Sequence, residues 1–123
     1  MRLVDILNIT GAVLTTAMGC LGLFAPTAAS RFTGLTATSK TSFAEFRATF
    51  GGMFVAMGLV PLLTGEPLAY LVSGLAWFGA ALGRLVSMVA DAGYREPKNL
   101  GAVVFEASFG ALLLAGSPMI FGA

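Results

Sequence analysis

Long apolar runs dominate this chain: Ile6–Phe24, Ala48–Leu63 with an entry turn reaching back to Ala44, Leu68–Ala90 and Ala102–Ile120. A helix needs about 20 apolar residues to cross a bilayer. The runs therefore predict four spans (about 6–24, 44–63, 68–90 and 102–120), which use most of the 123 residues. What remains is too short for a soluble domain, so a single integral membrane domain over residues 1–123 is expected. The runs are continuous and rich in Gly and Ala rather than alternating, which excludes a transmembrane barrel. The predicted fold class is all-α, a four-transmembrane-helix bundle.

Composition narrows the chemistry. Hydrophobic residues make up 57% and charged residues 11%, leaving too little polar surface to cover a water-soluble globule. With no His, a histidine general base and a His-ligated metal or haem are excluded. One cysteine, Cys20, rules out an intrachain disulfide and a cysteine-cluster metal site. A net charge of +1 gives no field for nucleic acid. No catalytic residue, metal or cofactor is expected. The expected partner is the lipid bilayer, with a homo-oligomer or larger membrane complex left open and any small-molecule ligand undefined.

The links differ in character. Residues 25–43 are rich in Ser and Thr, and Ala28, Ala29, Phe32 and Leu35 recur at helical spacing, as in a short helix lying in the interface. Thr64-Gly65-Glu66-Pro67 reads as a tight turn, and residues 91–101 form the most charged stretch. Arg31, Lys40, Arg95 and Lys98 fall in the first and third links, whereas the opposite side carries only Arg2. The positive-inside rule places loops 25–43 and 91–101 in the cytoplasm and both termini outside, in a multi-pass protein of the cell inner (plasma) membrane. The first run is too long for a signal peptide, and Asp5 spoils its basic start.

An internal repeat is visible. Ala48-Thr49-Phe50-Gly51-Gly52-Met53-Phe54-Val55-Ala56 aligns without gaps with Ala107-Ser108-Phe109-Gly110-Ala111-Leu112-Leu113-Leu114-Ala115, with four identities. Ala17-Met18-Gly19-Cys20-Leu21 matches Ala81-Leu82-Gly83-Arg84-Leu85 more weakly. Two Gly/Ala-rich helices also slide into partial agreement by composition alone. Taken as a true repeat, the pattern predicts two pseudo-repeated helical hairpins about an axis along the membrane normal. Small residues four apart (Gly11, Thr15, Gly19; Gly79, Gly83, Ser87; Ala107, Ala111, Ala115) let helices approach closely. Gly51, Gly52, Gly79, Gly83 and Gly110 are the expected packing glycines.

Ionisable side chains within a span are costly and mark candidate sites. Glu45, Arg47, Arg84 and Glu106 qualify, with Asp91 beyond Arg84 on the same face. The repeat sets Arg47 against Glu106, which predicts that they pair, leaving Glu45 to Arg84 with Asp91 as a second partner. The expected cluster is either a structural ion-pair network or a ligand or ion site; side chains near helix ends also reach the headgroups. Asn8, Thr10, Thr15 and Thr16 give the first span a polar face that either lines a small cavity or bonds to a neighbour or its own backbone. Trp77 and Phe78 lie well inside the third span, where packing is the default, and Cys20 reads as a buried small residue.

The segment Ala44-Glu45-Phe46-Arg47-Ala48-Thr49-Phe50-Gly51-Gly52, followed by Gly79-Ala80-Ala81-Leu82-Gly83-Arg84-Leu85, resembles a family of small four-span bacterial membrane proteins, the domain-of-unknown-function family 4345. The resemblance covers essentially the whole chain. It implies the same fold and singles out Glu45, Arg47, Gly51, Gly52, Gly83, Arg84, Asp91 and Glu106, but brings no activity. Three functions follow as expectations. The first is a non-enzymatic structural, accessory or regulatory membrane subunit. The others are a small transporter or channel using the Glu/Arg cluster, and a membrane enzyme acting on lipid or quinone.

Overall fold

The computed structural model describes residues 1–122, which are all-helical apart from short connections. Helix α1 (Leu3–Phe24) is followed by the short α2 (Pro26–Thr33), whose first turn takes Pro26 where no N–H is needed. Helix α2 stops at Gly34, whose φ of 82° suits only a residue without Cβ. It covers the segment predicted as an interfacial helix, but Leu35 falls beyond its end.

Ser39 starts the next helix by reciprocal capping. Its Oγ accepts from the Ser42 N–H at 3.0 Å while the Ser42 Oγ accepts from the Ser39 N–H at 2.8 Å. Helix α3 (Lys40–Phe46) runs through a π turn (Arg47–Gly52) into α4 (Met53–Thr64). The Gly51-Gly52 pair, the weakest helix formers in the segment, lies in that wider turn. Gly65, at φ 67°, ends α4, and Pro67 begins α5 (Pro67–Ala90). A single 3₁₀ turn (Gly93–Arg95) leads to α6 (Pro97–Leu114), and α7 (Pro118–Phe121) closes the described chain.

Three helical segments are long and apolar enough to cross a membrane: Leu3–Phe24, Lys40–Thr64 and Pro67–Ala90. The fourth predicted span differs. It was expected to run unbroken over 102–120, whereas α6 begins at Pro97 and ends at Leu114. Its first turn is spent on Lys98 and Asn99. Its end is set by Gly116, with φ 67°, and by Pro118, which cannot continue the hydrogen-bond ladder.

Side-chain hydrogen bonds make good the backbone groups that these breaks leave without partners. Asn8 of α1 donates through Nδ2 to the carbonyls of Leu112, Leu113 and Ala115 at 2.8, 3.2 and 3.0 Å, capping the C-terminus of α6. Pro61, inside α4, has no N–H to offer the carbonyl of Met57. The Ser73 hydroxyl of α5 donates to that carbonyl instead, at 2.6 Å. The threonines of α1 turn to their own backbone: Thr10, Thr15 and Thr16 donate to the carbonyls of Ile6, Gly11 and Ala12.

Close packing rests on glycine. A Cβ at Gly22 would fall on the carbonyl of Phe50, and one at Gly58 on Thr16 and the carbonyl of Ala12, so α1 meets the π turn and α4 backbone to backbone. Gly11 seats Leu112 and Leu113, Gly74 seats Leu114, and Gly110 seats the ring of Phe78. The contacts Gly74–Leu114, Gly110–Phe78 and Arg84–Glu106 run in opposite senses along α5 and α6, so these two helices lie antiparallel. Of the five predicted packing glycines, Gly51 presses on Leu23 and Gly110 on Phe78. A Cβ at Gly52 would meet only the carbonyl of Arg47, at 3.9 Å, and Gly79 and Gly83 face open space.

Candidate functional site

A line of aromatic rings crosses the interior. Phe46, Phe50 and Phe54 follow one another at intervals of four along the second helical segment, with centroids 4.8 and 5.9 Å apart. Phe54 reaches Trp77 of α5 at 4.9 Å, Trp77 reaches Phe109 of α6 at 4.9 Å, and Phe109 stacks on Phe105 at 4.3 Å. Phe32 of α2 meets Phe105 edge-on at 5.5 Å. Trp77 is only 3% exposed, and its indole N–H donates to the Thr15 hydroxyl at 3.0 Å. That hydroxyl donates in turn to the Gly11 carbonyl at 2.7 Å. The chain's single tryptophan is thus anchored to α1 by a polar bond within an apolar core.

These rings wall a cavity of about 260 Å³. Of the rings, Phe32, Phe50, Phe54, Trp77 and Phe105 line it, and α2 adds Ala29 and Thr33. Lys98 stands at its rim, its Nζ donating to the Arg31 carbonyl at 2.7 Å and so tying the first turn of α6 to α2. A second opening, about 350 Å³, shares Phe50, Phe54, Trp77, Arg84 and Glu106 with the first and extends past Gly83 and Ser87.

Both spaces touch the same ion pair. Arg84 of α5 donates through Nε to Glu106 Oε1 of α6 at 2.7 Å. Glu106 is 6% exposed, and its second oxygen, Oε2, accepts no hydrogen bond from the chain. Arg84 makes no hydrogen bond through its terminal nitrogens among the described residues. A buried carboxylate oxygen without a donor is costly and uncommon. Here the residue lines the cavity.

The other singled-out charges do not join this pair. Arg47 was expected to meet Glu106; its guanidinium instead donates to the Leu23 carbonyl at the end of α1. Glu45 was expected to meet Arg84, but it is exposed, and it forms no salt bridge among the described residues. Asp91 accepts from Ser87 at 2.8 Å rather than from Arg84. The packing of the π turn on α1, with Gly22 against Phe50 and Gly51 against Leu23, sets Arg47 beside the end of α1. Cys20 is half-buried. At the far end of α1, Arg2 forms an exposed ion pair with Asp5 at 3.1 Å, and the neighbouring carboxylate holds its guanidinium above the usual range.

Lys98, Phe54 and Phe105 were not singled out as site residues from sequence; Trp77 was read as a packing residue and Phe32 as part of an interfacial helix. The spacing of Phe46, Phe50 and Phe54 was the available signal, whereas their approach to Trp77 and Phe105 depends on how separate helices pack.

Comparison with known proteins gives one match. No curated protein and no solved structure matches the chain significantly. A family model described as Domain of unknown function (DUF4345) matches residues 4–117, nearly the whole chain, including the elements that carry Arg84, Glu106 and the aromatic cage. The chain therefore belongs to the DUF4345 family.

Proposed function

We propose that this chain is a single-domain, multi-pass protein of the cell inner membrane that binds a small, mainly apolar molecule in the aromatic cavity. In this reading it acts as an accessory or regulatory subunit rather than as an enzyme. The observation that carries the reading is the cavity itself: an aromatic wall bordered by an ion pair whose buried carboxylate has an unpartnered oxygen. Binding pockets combine a largely apolar wall with a few placed polar groups in the same way. A chain without histidine, in which the one buried side-chain carboxylate among the described residues is tied to an arginine, is better equipped to hold a molecule than to transform it.

Membrane insertion is supported by the outward faces of the helices, where Phe24, Leu63 and Val89 are 75, 80 and 87% exposed. Apolar surface of that extent calls for an apolar solvent. Helix α6, at 18 residues, is about 27 Å long, close to the roughly 30 Å of a hydrocarbon core, and serves as a fourth crossing. The excess of Lys and Arg in the links supports cytoplasmic loops 25–43 and 91–101, with both termini outside. Cysteines placed at Ser39 and Glu96 in a Cys20→Ser background are then expected to resist membrane-impermeant thiol reagents in intact cells. Labelling of both from outside contradicts that orientation.

Trp77 reports directly on the cavity. In detergent micelles, bromobenzene is expected to quench its emission saturably, because the heavy atom would sit against the indole. Ala102→Phe, which adds a ring to the cavity wall, is expected to leave only the weak, linear quenching of probe dissolved in the micelle. Identical quenching curves for the two proteins contradict the proposal.

A further inference from the structure

We infer that the cavity selects a neutral molecule bearing a hydroxyl on an apolar or aromatic body, with the hydroxyl seated between Glu106 and Arg84; this rests on the reading of the cavity as a binding site. The polar end presents one unmet acceptor and, beside it, donors that bond to nothing among the described residues. Glu106 Oε2, on a side chain 92% buried, needs a donor. The terminal nitrogens of Arg84, a side chain 30% exposed, are donors only and are available to an acceptor.

A hydroxyl is the smallest group that donates and accepts at once. A carboxylate or phosphate offers acceptors alone and would set its charge against Glu106. An ammonium offers donors alone and would set its charge against Arg84. At 2.7 Å the pair is mutually neutralised, so neither charged class gains a net partner at the buried end. Lys98 stands at the rim and is exposed, where solvent weakens its field, and its Nζ already donates to the Arg31 carbonyl. The rest of the wall sets the body of the molecule. Phe32, Phe50, Phe54, Trp77 and Phe105 surround about 260 Å³, room for one ring or the head-proximal part of an acyl chain. The second opening shares the ion pair and is lined also by Gly83 and Ser87, which offers space for a longer tail.

Two sources share this chemistry: a small aromatic alcohol, and a lipid with an uncharged hydroxyl head. The test is displacement of bromobenzene from Trp77, corrected for partition into the micelle. Four ligands of one shape are compared: ethylbenzene, 2-phenylethanol, phenylacetate and 2-phenylethylammonium. The alcohol is expected to displace the probe about tenfold more effectively than the hydrocarbon, the scale of one hydrogen bond to a charged group. The two ions are expected to do no better than ethylbenzene.

In the paired variant Arg84→Met with Glu106→Leu, the alcohol and ethylbenzene, compared with each other, are expected to displace the probe about equally. Monoolein is compared with methyl oleate in the same way. If only 2-phenylethanol shows the preference, the source is a small alcohol; if monoolein shows it too, a lipid head is admitted. Both results uphold the inference. Equal displacement by 2-phenylethanol and ethylbenzene in the wild-type protein overturns it, whether or not the paired variant folds. So does stronger displacement by either ion, or an alcohol preference that survives in the paired variant. Absence of saturable bromobenzene quenching has a different meaning: it removes the cavity reading itself.

Discussion

Arg84→Met alone is expected to lower stability by about 3–5 kcal/mol, because it strands a buried carboxylate. Glu106 is 6% exposed and Arg84 is its ion-pair partner, so without the guanidinium both carboxylate oxygens lack a donor. Glu106→Leu alone is expected to cost less. Arg84 is 30% exposed at its side chain, and its long stem can carry the charge toward a headgroup. The pair replaced together, Arg84→Met with Glu106→Leu, is expected to recover most of the loss, since well-packed apolar residues often match or exceed a buried ion pair. Equilibrium unfolding in mixed micelles, followed through Trp77 emission, measures all three. An Arg84→Met protein within about 0.5 kcal/mol of wild type shows that Glu106 has another partner and that the pair is not the site's foundation.

The second large effect lies at Gly22. A Cβ there would fall on the carbonyl carbon and oxygen of Phe50, backbone that cannot rotate aside as a side chain would. Gly22→Val is therefore expected to separate α1 from the π turn and cost at least about 4 kcal/mol, in the range kept for severe core disruption. In cells this reads as loss of the protein from the membrane fraction. Gly83→Ala is the control. Nothing lies within 4 Å of its added Cβ. Its stability is expected to be unchanged, or to rise by roughly 0.5–1 kcal/mol as helix propensity improves. The reverse pattern, with Gly22→Val tolerated and Gly83→Ala damaging, means that the stripe at Gly79 and Gly83 packs against another chain and that α1 does not dock as described.

Much of the architecture was legible in the amino-acid order because membrane-sized apolar runs and Gly/Pro punctuation are local signals. Pro26, Gly65 and Pro67 each mark a boundary that the helices respect. Local signals also misled. At the C-terminal end the apolar residues after Gly116 hid the stop carried by Gly116 and Pro118, so α6 ends earlier than its hydrophobicity indicates. Arg84 and Glu106 stood out as charges flanked by apolar residues, but their pairing did not. Aligning the Phe-Gly segments made Arg47 the counterpart of Glu106, whereas the turn that carries Arg47 packs on α1 and its guanidinium bonds to the Leu23 carbonyl. Lys98, in a charged loop by composition, became part of a cavity rim only once α2 folded back toward α6. The aromatic cage draws one or more rings from each of four helical segments, and no single segment reveals it.

Direct identification of a bound molecule tests the central claim. The protein is extracted from cells in polymer-bounded lipid discs, without detergent, beside the Ala102→Phe variant, and small molecules released from each are compared by mass spectrometry. The account predicts a species in near-stoichiometric amount with the wild-type protein, neutral and hydroxyl-bearing, that the variant lacks while both carry the same bulk lipids. An identical inventory from the two proteins, with each folded and equally abundant, contradicts it.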